Sequence, residues 1–298
     1  MNAIDAFLPA VQAWFRETFG DPTPPQALGW PAIQRGEHTL ILSPTGSGKT
    51  LAAFLWGIDQ IWRELAGEPG DEYEPGVRLL YVSPLKALNN DVERNLRAPL
   101  AGIRRVADRR DEPLPALDVL VRTGDTPQSQ RRRMVKHPPH ILITTPESLY
   151  LILTSPVARD MFRTVRTVIV DEIHTLVDNK RGVHLALTLE RLVELADQPV
   201  QRIGLSATQR PLEEVARFLG GYASRITVHA SDGVGDSGLG NLDYEPRPVT
   251  IVDAGMVKPM DVQVVLPVDD FRNAPGGSIW AAIIPRVMDL IERHRTTL

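Results

Sequence analysis

The run Ser43-Pro44-Thr45-Gly46-Ser47-Gly48-Lys49-Thr50 stands between an apolar stretch, Thr39-Leu40-Ile41-Leu42, and a helix-patterned one that begins Leu51-Ala52-Ala53-Phe54-Leu55. A glycine-containing turn from strand to helix, ending in Lys-Thr, points backbone N–H groups and the positive helix end at one spot where a polyphosphate can sit. Ser43 replaces the first glycine of the general pattern. The physical requirements survive that change: Gly46 and Gly48 permit close backbone approach, Lys49 reaches the outer phosphates, and the Thr50 hydroxyl can ligate Mg²⁺. Thr45, Gly46, Ser47, Gly48, Lys49 and Thr50 are therefore the expected cradle of a nucleoside triphosphate, and the function is expected to be energy-driven.

Working outward, short β-rich runs alternate with helical patterns. The strands are expected at Leu40 to Ser43, Val77 to Ser83, Val119 to Arg122, His140 to Thr144, Val165 to Val170 and Arg202 to Ser206. Most are continuous Val, Ile and Leu runs, as expected for strands covered on both faces. Helices are expected at Leu51 to Leu65, Lys86 to Val106, Glu147 to Leu153, Val183 to Leu195 and Leu212 to Leu219. In the fourth, Leu185, Leu189, Leu192 and Leu195 form an apolar stripe at helical spacing, which reads as core. The fold class is α/β, a doubly wound parallel sheet.

At 298 residues the chain can hold one large α/β domain and the start of a second. Its 43% hydrophobic and 23% charged residues are ordinary for a soluble globular protein. It contains no membrane-length apolar run, and its first residues lack the basic-then-apolar pattern of a secretory signal. With no cysteine, disulfides and cysteine metal sites are excluded, which fits a cytoplasmic protein. The net charge of −4, from 37 acidic and 33 basic side chains, argues against a broad electrostatic grip on nucleic acid. Any such binding is expected to be local, in a groove of chosen side chains and backbone groups.

A second signal narrows the chemistry. Thr167-Val168-Ile169-Val170 is an apolar strand that ends in Asp171-Glu172-Ile173-His174. Two carboxylates at a buried strand's C-terminal tip, in the sheet that carries the phosphate loop, are placed for separate tasks. Asp171 can hold Mg²⁺, and Glu172 can orient and deprotonate the water that attacks the γ-phosphate. The third signal is Ser206-Ala207-Thr208, again at a strand end. Ser206 and Thr208 can hydrogen-bond toward His174 and the acids, coupling nucleotide state to the neighbouring surface.

Together these residues resemble a superfamily 2 helicase, whose first RecA-like domain would span about Phe15 to Val228. Pro24-Pro25-Gln26 resembles the motif whose glutamine reads the adenine edge, which assigns that task to Gln26 and makes the nucleotide ATP. Ser83-Pro84-Leu85-Lys86-Ala87-Leu88, Thr123-Gly124-Asp125 and Thr144-Thr145-Pro146-Glu147-Ser148-Leu149 resemble the loops that hold a single strand. The resemblance thus assigns nucleic-acid contacts to Pro84, Lys86, Thr123, Gly124, Asp125, Thr145 and Pro146, made through hydroxyls, backbone amides and helix N-termini.

Within the superfamily the chain is most similar to the large helicase-related (Lhr) group. The pointers are Gly29-Trp30-Pro31-Ala32-Ile33, Arg181-Gly182-Val183-His184-Leu185, Leu189-Glu190-Arg191-Leu192 and Ile291-Glu292-Arg293-His294-Arg295-Thr296-Thr297-Leu298. The resemblance implies a 3′-to-5′ translocase on single-stranded DNA that unwinds duplexes, RNA:DNA hybrids among them. It also implies a partner absent here, a second RecA-like domain that supplies arginine fingers to the cleft, together with accessory domains. The expected division is residues 1–230 as the ATP-binding domain, 231–248 as a linker rich in Gly, Ser and Asp, and 249–298 as the truncated start of the second domain. A chain so truncated is expected to bind ATP·Mg²⁺ and hydrolyse it poorly.

Two other functions stay open on the residues alone: a DEAD-box-like RNA remodeller that melts duplexes locally, against which the box reads Asp-Glu-Ile-His, and a nucleotide-gated binding module that clamps a strand. Arg131-Arg132-Arg133 could touch phosphates or line a solvated helix face. Trp56 and Trp62 read as packing residues, and Phe19 as a side chain able to pack on adenine.

Overall fold

The computed structural model describes residues 3–67, 74–207, 211–227, 241–255 and 280–293. The chain divides into two units, Met1–Met256 and Val257–Leu298. In chain order the first unit carries α1 (Pro9–Phe19), α2 (Pro24–Gln34), β1 (His38–Leu42), α3 (Lys49–Leu65), β2 (Leu79–Val82), α4 (Lys86–Arg109), β3 (Val119–Arg122), α5 (Gln128–Lys136) and β4 (Ile141–Thr144). It continues with α6 (Pro146–Leu153), β5 (Thr167–Val170), α7 (Lys180–Leu195), β6 (Gln201–Ser206), α8 (Leu212–Gly220), β7 (Tyr222–Thr227), β8 (Asn241–Pro246) and β9 (Val249–Asp253). In the second unit one helix, α9 (Trp280–Arg293), is described. It presents Ile284, Val287, Met288 and Ile291 as exposed apolar side chains.

The main sheet has the order β3-β4-β2-β5-β6-β1-β9, and every neighbouring pair is parallel. Parallel strands need crossovers, and helices on both faces supply them. Alternation along each strand divides the core in two. Ile41, Leu79, Tyr81, Ile143 and Ile169 face a cluster with Trp14, Phe15, Trp30, Phe54 and Ile103. Leu40, Leu42, Leu80, Val82 and Val168 face a second cluster with Leu149, Leu185, Leu189 and Leu219. The doubly wound α/β expectation is thus met, with the Leu185–Leu189–Leu192 stripe of α7 fully in the core.

A buried arginine ties the second face together. Arg202 of β6, 1% exposed, donates to the carbonyls of Leu219 (3.1 Å) and Gly220 (3.0 Å) and to Glu190 Oε1 (3.1 Å). Arg247, between β8 and β9, grips Glu190 with two bonds of 2.8 Å. Burial opposes ionisation of Glu190, but the two guanidiniums prevail and hold its carboxyl below the usual range. The Leu189-Glu190-Arg191-Leu192 segment therefore has a structural use: it anchors the chain's return into β9.

That return corrects the expected domain division. Val249–Asp253 does not open a second domain; it lies parallel to β1, from His38↔Val249 to Leu42↔Asp253. The expected linker is also partly structured, since β8 pairs antiparallel with β7. An apolar five-residue strand reads the same from sequence whether it extends one sheet or starts another, and only the pairing distinguishes them. Residues 231–240, within the expected linker, lie outside the described residues.

Candidate nucleotide and nucleic-acid site

All the expected site loops sit at the C-terminal edge of the parallel sheet, where ligands of open α/β sheets bind. β1, β6 and β5 carry the phosphate loop, Ser206 and the acid pair. β2, β4 and β3 carry the loops with Pro84 and Lys86, Thr145 and Pro146, and Thr123 to Asp125.

The phosphate loop is preformed. Gly46 and Gly48 have φ of +78° and +88°, conformations that L side chains rarely adopt, and a Cβ on Gly48 would lie 2.8 Å from Gln26 Nε2. Lys49, 6% exposed, folds its Nζ back to the Ser43 carbonyl at 3.2 Å. Gln26, 3% exposed, holds the entrance of the loop: its Oε1 accepts from Thr23 N (2.9 Å) and its Nε2 donates to the Gly48 carbonyl (3.4 Å). The amide expected to read adenine is thus already a brace between α2 and the loop. Beside it lies a cavity of about 500 Å³ lined by Phe19, Gln26, Gly46, Ser47, Gly48 and Thr50, among others. The buried hydroxyls of Ser43 and Ser47 have no protein partner. Positive-φ glycines, unpartnered hydroxyls and an adjoining cavity fit a polyphosphate.

The acid pair is held differently at its two members. Asp171, 7% exposed, accepts the Tyr81 hydroxyl at Oδ2 and the Glu172 backbone N–H at Oδ1 (2.9 Å). Burial, and then the Asp171 charge, push the Tyr81 phenol far above its ordinary pKa, so it remains a donor. Tyr81 was not singled out from sequence; the available signal was one hydroxyl inside the apolar run Leu79 to Val82. Glu172 has left-handed backbone angles, φ 47° and ψ 38°. That conformation is costly for a non-glycine residue and swings its carboxylate out of the strand line.

Glu172, His174 and Ser206 are brought together. Glu172 Oε2 lies 3.4 Å from His174 Nε2, and His174 Nδ1 lies 3.2 Å from Ser206 Oγ. The Ser206 hydroxyl also donates to the Ala207 carbonyl (2.7 Å). The Ser206 carbonyl accepts from Ser43 N at 3.2 Å. A continuous polar path therefore runs from the first residue of the phosphate loop to the carboxylate that would activate water. Thr208 lies outside the described residues.

On the strand side, Lys86 and Asp125 form an ion pair with each other, 49% and 76% exposed. Thr123 and Thr126 close a turn, with Thr123 N donating to Thr126 Oγ1 at 2.9 Å. Arg131 donates to the Thr126 and Gly124 carbonyls, both at 2.7 Å, so this member of the arginine run braces the turn. Thr145 caps α6, its Oγ1 accepting from Ser148 N (3.4 Å), with Pro146 in the first helical turn. Glu147 forms a two-pronged pair with Arg181 of α7, which holds its carboxyl below the usual range. Trp62 is buried and donates to the Pro115 carbonyl (3.0 Å), as a packing residue should.

A parallel sheet with a strand–phosphate loop–helix unit and an acid pair two strands away defines a P-loop nucleotide-binding domain. The DEAD/DEAH box helicase model matches residues 23–216. The chain belongs to the DEAD/DEAH box helicase family. It is 50% identical, over its whole length, to the Lhr helicase/probable uracil glycosylase of Mycolicibacterium smegmatis, and covers 18% of that protein. It is 49% identical over 97% of its length to the ATP-dependent helicase Lhr-Core of Methanothermobacter thermautotrophicus, covering 31% of it. The structure of Mycobacterium smegmatis helicase Lhr bound to ssDNA and AMP-PNP superposes on 99% of this chain with a TM-score of 0.77 and 49% identity; the chain covers 34% of it. The chain thus spans between 18% and 34% of the length of these relatives. Among the described residues no helix is long and apolar enough to cross a membrane.

Proposed function

We propose that this chain is the nucleotide-binding and strand-gripping part of an ATP-dependent helicase that moves 3′-to-5′ along single-stranded DNA and unwinds duplex DNA or RNA:DNA hybrids. The supporting observation is the path Ser43–Ser206–His174–Glu172, which joins the phosphate loop to the water-activating carboxylate. Relatives whose names and structures carry helicase activity, ssDNA and a nonhydrolysable ATP analogue agree with it.

In this mechanism the loop N–H groups and Lys49 take the β- and γ-phosphates in place of the Ser43 carbonyl. Thr50 and Asp171 would hold Mg²⁺ on the bound nucleotide. Bound Mg²⁺ supplies charge neutralisation on the phosphates. Glu172 orients the attacking water and accepts its proton. Gln26 and Phe19 face the base. Among the described residues that line the cavity there is no arginine; in the proposed mechanism the arginines that stabilise the transferring phosphoryl come from the second RecA-like domain. The 298-residue chain is accordingly expected to bind ATP·Mg²⁺ and turn it over slowly.

The test is fluorescence anisotropy of labelled single-stranded DNA, and in parallel RNA, with and without AMP-PNP·Mg²⁺, alongside phosphate release. Nucleotide-dependent tightening on DNA with little turnover is the expected result. Strand binding indifferent to nucleotide would sink the coupled reading, and brisk DNA-stimulated turnover would sink the incomplete-site reading.

A further inference from the structure

Tyr81 sits in the middle of the sheet, fully buried, between two functional elements. Its ring stacks on Phe54 of α3, centroids 5.1 Å apart at 26°, and α3 is the helix that begins with Lys49 and Thr50. Its hydroxyl donates to Asp171 Oδ2. The other carboxylate oxygen is already committed to Glu172 N. A carboxylate held at both oxygens cannot turn about its Cβ–Cγ bond, so the lone pairs left over point in fixed directions. The remaining places of β2, Leu79, Leu80 and Val82, are apolar; a phenol there is costly unless its oxygen is used.

We propose that Tyr81 is a positioning residue for Mg²⁺·nucleotide: it presets the Asp171 carboxylate, and through Phe54 it ties that setting to the helix that carries Thr50. This inference rests on the reading of Asp171 as the metal-side carboxylate. Groups that orient a ligating side chain typically change metal affinity about 10- to 100-fold when removed. If Tyr81 served packing alone, phenylalanine would do as well.

Tyr81→Phe removes one oxygen and keeps the stacked ring. The measurement is binding of a fluorescent nonhydrolysable ATP analogue to the full chain, across a Mg²⁺ titration and in EDTA, with thermal melting alongside. In Tyr81→Phe the Mg²⁺ concentration for half-maximal enhancement should rise on the order of 10-fold. Affinity in EDTA and the melting temperature should stay near wild type. Phe54→Leu, which keeps the hydroxyl but loses the ring it leans on, should move the same midpoint in the same direction by less. An unchanged midpoint in Tyr81→Phe, or equal losses with and without Mg²⁺, overturns the inference. Wild-type binding with no Mg²⁺ dependence overturns the Asp171 reading as well, so the two failures can be told apart.

Discussion

The two halves of the sheet's C-terminal edge differ in how they hold the Lys and Asp side chains assigned to them. On the β5-β6-β1 side, Lys49, Asp171 and Gln26 are buried and each is already bonded to the protein. On the β3-β4-β2 side, Lys86 and Asp125 are exposed and bonded to each other, and Thr123 and Thr145 serve their own turns. The difference suits the ligands proposed for the two halves. A triphosphate must be met by fixed donors in a dry pocket, because its chemistry depends on sub-ångström placement. A strand that slides must be held by groups that let go, and water-exposed contacts to a repeating backbone permit that.

The sharpest break between the halves should come from Glu172→Gln. The amide keeps the shape and loses the base, so nucleotide and strand binding persist while any DNA-stimulated turnover falls about 10²- to 10⁴-fold. Steady-state phosphate release beside anisotropy checks this; a parallel loss of strand binding would mean that the acid box also builds the strand side. Next in size is Lys49→Ala. It empties the loop of its one buried cation, and ATP·Mg²⁺ affinity should drop about 100-fold, or about 2.7 kcal/mol. Nucleotide-free strand binding should change by less than about twofold, an exposed-contact scale. Comparable losses in both assays would erase the distinction between the two halves.

The nucleotide half was far more legible in the sequence than the strand half, for the same physical reason. Gly46, Gly48 and Lys49 are dictated by local backbone geometry, and Asp171-Glu172 by a strand end; both are short-range patterns. Their burial partners are not short-range. Tyr81 lies 90 residues from Asp171 and Arg202 lies 45 residues from Arg247, so nothing local announces either node. The strand loops were legible only by resemblance, and sequence could not show that Lys86 meets Asp125 or that Arg131 turns inward. β9 lies in the segment expected to open a second domain, and its place in the first sheet was not legible. The helices α1 and α2 were not anticipated; their apolar residues Trp14, Phe15 and Trp30 cover one sheet face and support the loop from behind.

A smaller effect tests whether the rigidity of the nucleotide half reaches the opposite end of β1. His38 opens that strand and its Nδ1 accepts from Arg202 N at 3.1 Å. Burial first, then Arg202 and Arg247, lower its pKa from 6.5 to about 4. The folded form therefore stays neutral where the unfolded chain already takes up a proton. Its contribution is present above the unfolded pKa and is lost as pH falls through the window from 6.5 toward about 4. Allowing for solvent screening, the loss is about 1–2 kcal/mol. Urea denaturation at pH 7 and pH 5 measures it. His38→Gln should flatten the difference, and an unchanged pH slope in that variant would assign the acid sensitivity elsewhere.

The smallest effect bears most directly on the strand side. Asp125 was expected to contact nucleic acid, yet in the structure it occupies the ammonium of Lys86, itself an expected phosphate contact. An exposed pair of this kind is worth about 0–1 kcal/mol, so a phosphate can displace the carboxylate at little cost. Asp125→Asn should then free Lys86 in advance. Affinity for single-stranded DNA should rise about threefold at low salt, and the salt dependence should steepen by about one counterion or less, the share of a single added phosphate contact. Should Asp125 instead accept a hydrogen bond from the strand, the same variant would bind more weakly with an unchanged salt slope. The sign of one affinity change across a salt series thus decides whether Asp125 is a ligand of the strand or a placeholder for it, and with that whether the strand half is built to hold or to release.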